Sequence, residues 1–80
     1  LLSKEQEEII QLITSNGGFM KEVDIIKNSS YDKVKTEYYL EDMEDKKYVS
    51  RDYKSAPISG YVYSLTTKSK KIMVEKGVAK

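Results

Sequence analysis

The sequence predicts a small α+β domain: three helices, a two-stranded hairpin and a short closing helix. Three observations carry that expectation. Apolar residues recur at helical spacing through the first half of the chain. The period drops to strict alternation at Tyr48-Val49. A turn-forming stretch, Ser55-Ala-Pro-Ile-Ser-Gly60, then separates two alternating runs, as a hairpin loop of about six residues does.

The first helix begins at Ser3-Lys-Glu-Gln6, which reads as a capping box: Ser3 accepts from early backbone N–H groups and Gln6 reaches back. Glu5, Glu7 and Glu8 favour the positive end of that helix. Ile9, Ile10, Leu12 and Ile13 share one arc with Leu2, and Asn16-Gly17-Gly18 ends the run. Phe19-Met20 is long enough only for a connecting strand. A short helix follows from Lys21 to about Asn28, with Val23 and Ile26 three apart and Ile25 beside them. Asn28-Ser29-Ser30 is a turn, and Asp32 is the expected N-cap of the third helix, with Tyr31 placed as a hydrophobic staple.

Along that third helix, about 32–47, Thr36, Tyr39, Leu40 and Met43 fall on one arc, with Leu40 and Met43 the core candidates. The opposite arc carries Val34, Glu37, Tyr38, Glu41, Asp42 and Asp45, flanked by Lys33 and Lys35; Asp42 and Lys46 are spaced as an i,i+4 ion pair. In the hairpin, about 48–66, Val49, Arg51 and Tyr53 share a face, and Tyr61, Tyr63 and Leu65 alternate with Val62, Ser64 and Thr66. Thr66 or Thr67 caps a last helix carrying Ile72 and Met73, which Gly77 ends.

Composition narrows the function classes. Eighty residues hold one domain, spanning 1–80. A chain of that size buries only roughly 60% of its unfolded surface, so its core is marginal and a second copy would help. Cys is absent, which excludes disulfides and thiolate metal sites. His is absent too, removing the commonest general base and the usual zinc ligand. No phosphate-cradling glycine loop exists, because Gly17-Gly18 is a helix stop. Catalysis therefore has no support, and no metal or cofactor is implied. No apolar run approaches the ~20 residues that span a bilayer. Nothing resembles a signal peptide, so a cytoplasmic location with no membrane partner is the expectation. The opening Leu1-Leu2, without Met, points to a trimmed chain or a piece of a longer one.

Net charge is only +1, but it is unevenly spread: −3 over residues 1–32, zero over 33–60 and +4 over 61–80. Lys68, Lys70, Lys71, Lys76 and Lys80 make the basic end. They suit either a phosphate-facing role or simple compensation of a helix terminus.

Two local patterns carry a family resemblance. Leu40-Glu-Asp-Met-Glu-Asp-Lys-Lys-Tyr-Val-Ser-Arg51 resembles the passage from recognition helix into wing, L-x-x-L-E-x-x-G-L-V-x-R, of winged helix-turn-helix regulators such as the MarR, PadR and ArsR groups. Tyr63-Ser-Leu-Thr-Thr-Lys68 resembles their Y-x-L-T-x-K-G passage from wing into the following helix. The chain departs from the pattern at Lys47, where the family usually has Gly, so the left-handed turn there falls to Lys or is relaxed. Ser69 likewise replaces a common Gly.

The resemblance implies a sequence-specific, double-stranded-DNA-binding transcriptional regulator, acting as a homodimer whose paired helices lie ~34 Å apart. The first half of the third helix would enter the major groove. Lys33 and Lys35 would meet phosphate or guanine, Val34 a thymine methyl, Glu37 a cytosine amino group, and Tyr38 a base or phosphate. Arg51, Lys54, Ser55 and Ser59 would serve the wing, with Arg51 alternatively packing its stem inward. Ser29 and Ser30 would donate to phosphate or else shape the turn. Leu2, Ile9, Ile72, Met73 and Val74 are candidates for the dimer surface. Two other readings compete. One is a winged-helix module for protein contact, or an accessory domain of a larger replication or transcription protein, favoured by the acidic Glu41, Asp42 and Asp45. The other is a tyrosine stacking platform for single strands.

Overall fold

The computed structural model describes residues 2–53 and 60–77. The described elements run α1 (Lys4–Ser15), β1 (Phe19–Lys21), α2 (Glu22–Asn28), α3 (Lys33–Asp45), β2 (Val49–Tyr53), β3 (Tyr61–Leu65) and α4 (Thr67–Glu75). The predicted α+β class and element order hold. The sheet, however, has three strands rather than two, in the antiparallel order β1-β3-β2. The expected connecting strand pairs fully, Phe19 with Ser64, Met20 with Tyr63 and Lys21 with Val62. Its pairing is long-range, which local sequence pattern cannot register.

Local chemistry explains each boundary. Ser3 Oγ accepts from the Gln6 N–H and Gln6 Oε1 accepts from the Ser3 N–H, both at 3.1 Å, so the capping box forms as expected. α1 ends in a Schellman motif, Gly18 N–H donating to the Ile13 carbonyl and Gly17 N–H to that of Thr14. α3 ends the same way, with Tyr48 N–H on Met43 and Lys47 N–H on Glu44. That motif needs a left-handed residue, and Lys47 supplies it at φ +70°, alone among the described non-glycine residues. The conformation costs a non-glycine residue roughly 1–2 kcal/mol. Lys47→Gly is therefore expected to stabilise the fold by about 0.5–1 kcal/mol, after glycine's own entropy cost. A denaturant midpoint that stays put or falls would count against this turn.

The core gathers one face from every helix. Ile9, Ile10 and Ile13 of α1, Ile25 of α2, Leu40 and Met43 of α3 and Met73 of α4 are buried with Met20, Tyr48, Val49, Tyr63 and Leu65. The arcs expected for α1 and α3 hold. Val23 does not join the α2 face: it is 60% exposed, because it lies about 200° around the helix from the buried Ile25. Ile9 and Met73 are core residues as well, so neither can serve a dimer surface. Ser69 is fully buried and its hydroxyl donates to the Thr66 carbonyl at 3.0 Å. A small residue fits there, and the buried hydroxyl finds its acceptor one turn back.

Candidate nucleic-acid interface

α3 is held at both ends and along one side, which gives its outer face a fixed direction. At the start, Asp32 Oδ1 accepts from the Lys35 N–H at 2.8 Å. Ahead of it, Tyr31 N–H donates to Ser29 Oγ (2.9 Å), Ser29 Oγ contacts Thr36 Oγ1 (3.0 Å), and Thr36 Oγ1 donates to the Tyr31 carbonyl (3.3 Å). With the Thr36 proton on that carbonyl, Ser29 supplies the proton between the two hydroxyls. The loop is thus stitched to the first turn. Thr36, Leu40 and Met43 then fix the inward side. At the far end, Lys68 Nζ donates to the Lys46 carbonyl at 2.9 Å and lies 4.3 Å from the Tyr48 ring centroid. A cation placed there compensates the negative end of the helix.

The candidate residues divide into four groups. Lys33, Val34, Lys35 and Tyr38 stand on the open face of the first half of α3, with Val34 74% and Tyr38 64% exposed. Glu37 is half-buried beside them, and Ser30 is exposed just ahead. This group presents two ammonium groups, an uncovered isopropyl and a phenol, with one carboxylate and one hydroxyl beside them. Ser29 differs, because its hydroxyl is engaged in the turn. Lys54, Ser55 and Ser59 lie outside the described residues.

Arg51 stands apart from the first group. Its Nε pairs with Glu44 Oε2 at 3.2 Å, and its guanidinium lies 4.5 Å from the Tyr61 ring centroid. Glu44 is eleven residues beyond Lys33, or about 16 Å along the helix axis. Glu41, Glu44, Asp45, Lys47 and Arg51 line one shallow depression between α3 and β2. Three carboxylates against two cations make that end of the face net negative. The arrangement repels phosphate at the C-terminal half of α3, whereas in the first half Lys33 and Lys35 balance the Asp32 and Glu37 carboxylates.

Two contacts joining α1 to α3 escaped the sequence reading. Gln6 Nε2 donates to Asp42 Oδ2 at 2.7 Å, and Lys46 Nζ stands 3.1 Å from the same oxygen. The Gln6 hydrogen bond, then Lys46, hold the Asp42 carboxyl below its usual range. Asp42 therefore faces α1 rather than the open arc; it shares the flank of Tyr39, one turn earlier. The expected Asp42–Lys46 pair does form. Tyr31 also reaches α1, its hydroxyl donating to Glu8 Oε1 at 2.6 Å while its ring meets Tyr39 edge-on at 5.6 Å. That hydrogen bond pushes the Tyr31 phenol up to about 12. Gln6 and Tyr31 carried sequence signals only for their capping and stapling roles; their partners lie 36 and 23 residues away.

No protein-family model matches the chain, and no curated protein is significantly similar to it in sequence. Among the described residues, no helix is long and apolar enough to cross a membrane. No group of three or more acidic side chains there is arranged to hold a metal ion.

Proposed function

We propose that this chain is a winged-helix domain that binds double-stranded DNA as a sequence-specific, homodimeric transcriptional regulator. α3 is its recognition helix and the β2–β3 hairpin its wing. The observation that carries the reading is the open first half of α3. Lys33, Val34, Lys35 and Tyr38 project from a helix whose cap, core face and C-terminal turn are all fixed. Rigid placement of this kind lets a few side chains meet base edges and phosphates in register. The reading includes a cytoplasmic location and no catalytic activity, metal or cofactor.

A mobility-shift titration with mixed-sequence duplex at two salt concentrations tests it. Binding should weaken steeply with salt, each neutralised phosphate adding about −0.9 to the slope of log K against log salt. Absence of any shift at low salt would remove DNA from the account. One observation favours a second reading, a protein-contact or accessory module of a replication or transcription machine. The C-terminal half of α3 is acidic, and Arg51 is already paired with Glu44. On that reading the duplex gives no shift at either salt.

A further inference from the structure

We propose that the outward face of the β1-β3-β2 sheet docks a second copy of this chain. Met20, Tyr63 and Val49 point from the three strands into the core. By strand alternation their neighbours point outward. The register sets these neighbours in two cross-strand rows: Phe19, Ser64 and Ser50 in one, Lys21, Val62 and Asp52 in the other. Phe19 is 58% exposed on that face, and five of these six side chains line one shallow depression with Asn16 and Asp24 at its margin.

The charge order in the second row selects the occupant. Lys21 and Asp52 flank Val62 about 10 Å apart, two strand spacings, and among the described residues neither makes an ion pair. A two-fold axis along β3, between two such faces, sets Lys21 of each copy over Asp52 of the other and Val62 over Val62. Phe19 then falls over Ser50. A row reading positive, apolar, negative is self-complementary under that rotation, as an isologous interface requires. The same face is a poor phosphate surface, because Asp24 and Asp52 outnumber its one Lys. Six outward side chains make a small patch beside the ~800 Å² per partner of a stable complex, so weak self-association is expected.

This surface would join the two copies of the proposed regulator, and it rests on that reading only for its use. Association is therefore measured without DNA, by sedimentation equilibrium at low salt up to about 1 mM protein. The parent chain is expected to self-associate. Lys21→Glu and Asp52→Lys, each alone, set like charges face to face twice and should weaken association at least about tenfold. An equimolar mixture of the two variants sets opposite charges at both positions and should associate within about threefold of the parent. A parent that stays monomeric overturns the proposal. So do single variants that associate like the parent, or a mixture no tighter than either alone. If circular dichroism shows a charge variant unfolded, Val62→Arg replaces the pair. Parent-like association of that variant would equally overturn the proposal.

Discussion

Replacing Leu40 by Ala is expected to cost about 2–5 kcal/mol of folding stability, the range for deleting a fully buried leucine side chain. Leu40 is wholly buried on the inward side of α3, in the cluster that includes Ile9, Ile10 and Met43. Two effects add there: the lost transfer of the isobutyl group from water, and the cavity left among neighbours fixed by their own elements. Total stability for a domain of this length lies near the low end of about 5–15 kcal/mol, so the variant should be largely unfolded at moderate temperature. Val34→Ala, six residues earlier on the exposed side, should stay within about 0.5 kcal/mol of the parent. Chemical denaturation of both variants checks the contrast. Similar losses at the two positions would mean that α3 is rotated about its axis relative to the described packing.

Reversing Lys33 and Lys35 together to Glu is expected to reduce duplex affinity at least about a hundredfold while leaving stability nearly unchanged. Each site loses a favourable phosphate or base contact of about 1–3 kcal/mol, and each new carboxylate is repelled by the duplex. The folding cost is small because both side chains are exposed and neither makes an ion pair among the described residues. Reversal of Glu41 and Asp45 to Lys should act in the opposite direction, since it removes the acidic half of the same helix face. The salt slope of the Lys33/Lys35 variant should be shallower by roughly two units if both lysines neutralise phosphates. Intact binding in that variant would move the DNA contact elsewhere while sparing the fold.

The fold and the candidate interface differ in how far the sequence reveals them. Caps and periods are local, so Ser3, Asp32, a cap at Thr66 or Thr67 and the Leu40–Met43 arc could be read directly; all four form, the third at Thr66. Lys47 was legible as a conflict between a turn that suits glycine and the residue present; the backbone resolves it in favour of the turn. What local pattern could not give was partnership across the chain. Phe19–Lys21 became a full strand only through β3. Asp42 looked like part of an open acidic arc and instead binds Gln6. Arg51 suited a phosphate contact by position, yet Glu44 and the Tyr61 ring hold it against the hairpin side of α3. Ile9 and Met73 had the apolar character of a dimer surface, and the core absorbed both. For the candidate interface, the exposure of Lys33, Val34, Lys35 and Tyr38 followed from helical phase alone. The outward sheet face with its Lys21–Val62–Asp52 row required the strand register.

The most direct test of the central claim is a ¹H–¹⁵N correlation spectrum of the labelled chain, titrated with a short mixed-sequence duplex at low salt. The largest amide shifts are expected at residues 33–38, with Glu41, Glu44 and Asp45 comparatively still. Shifts concentrated at 41–45, or a spectrum unchanged by excess duplex, would contradict the reading of α3 as a DNA-recognition helix.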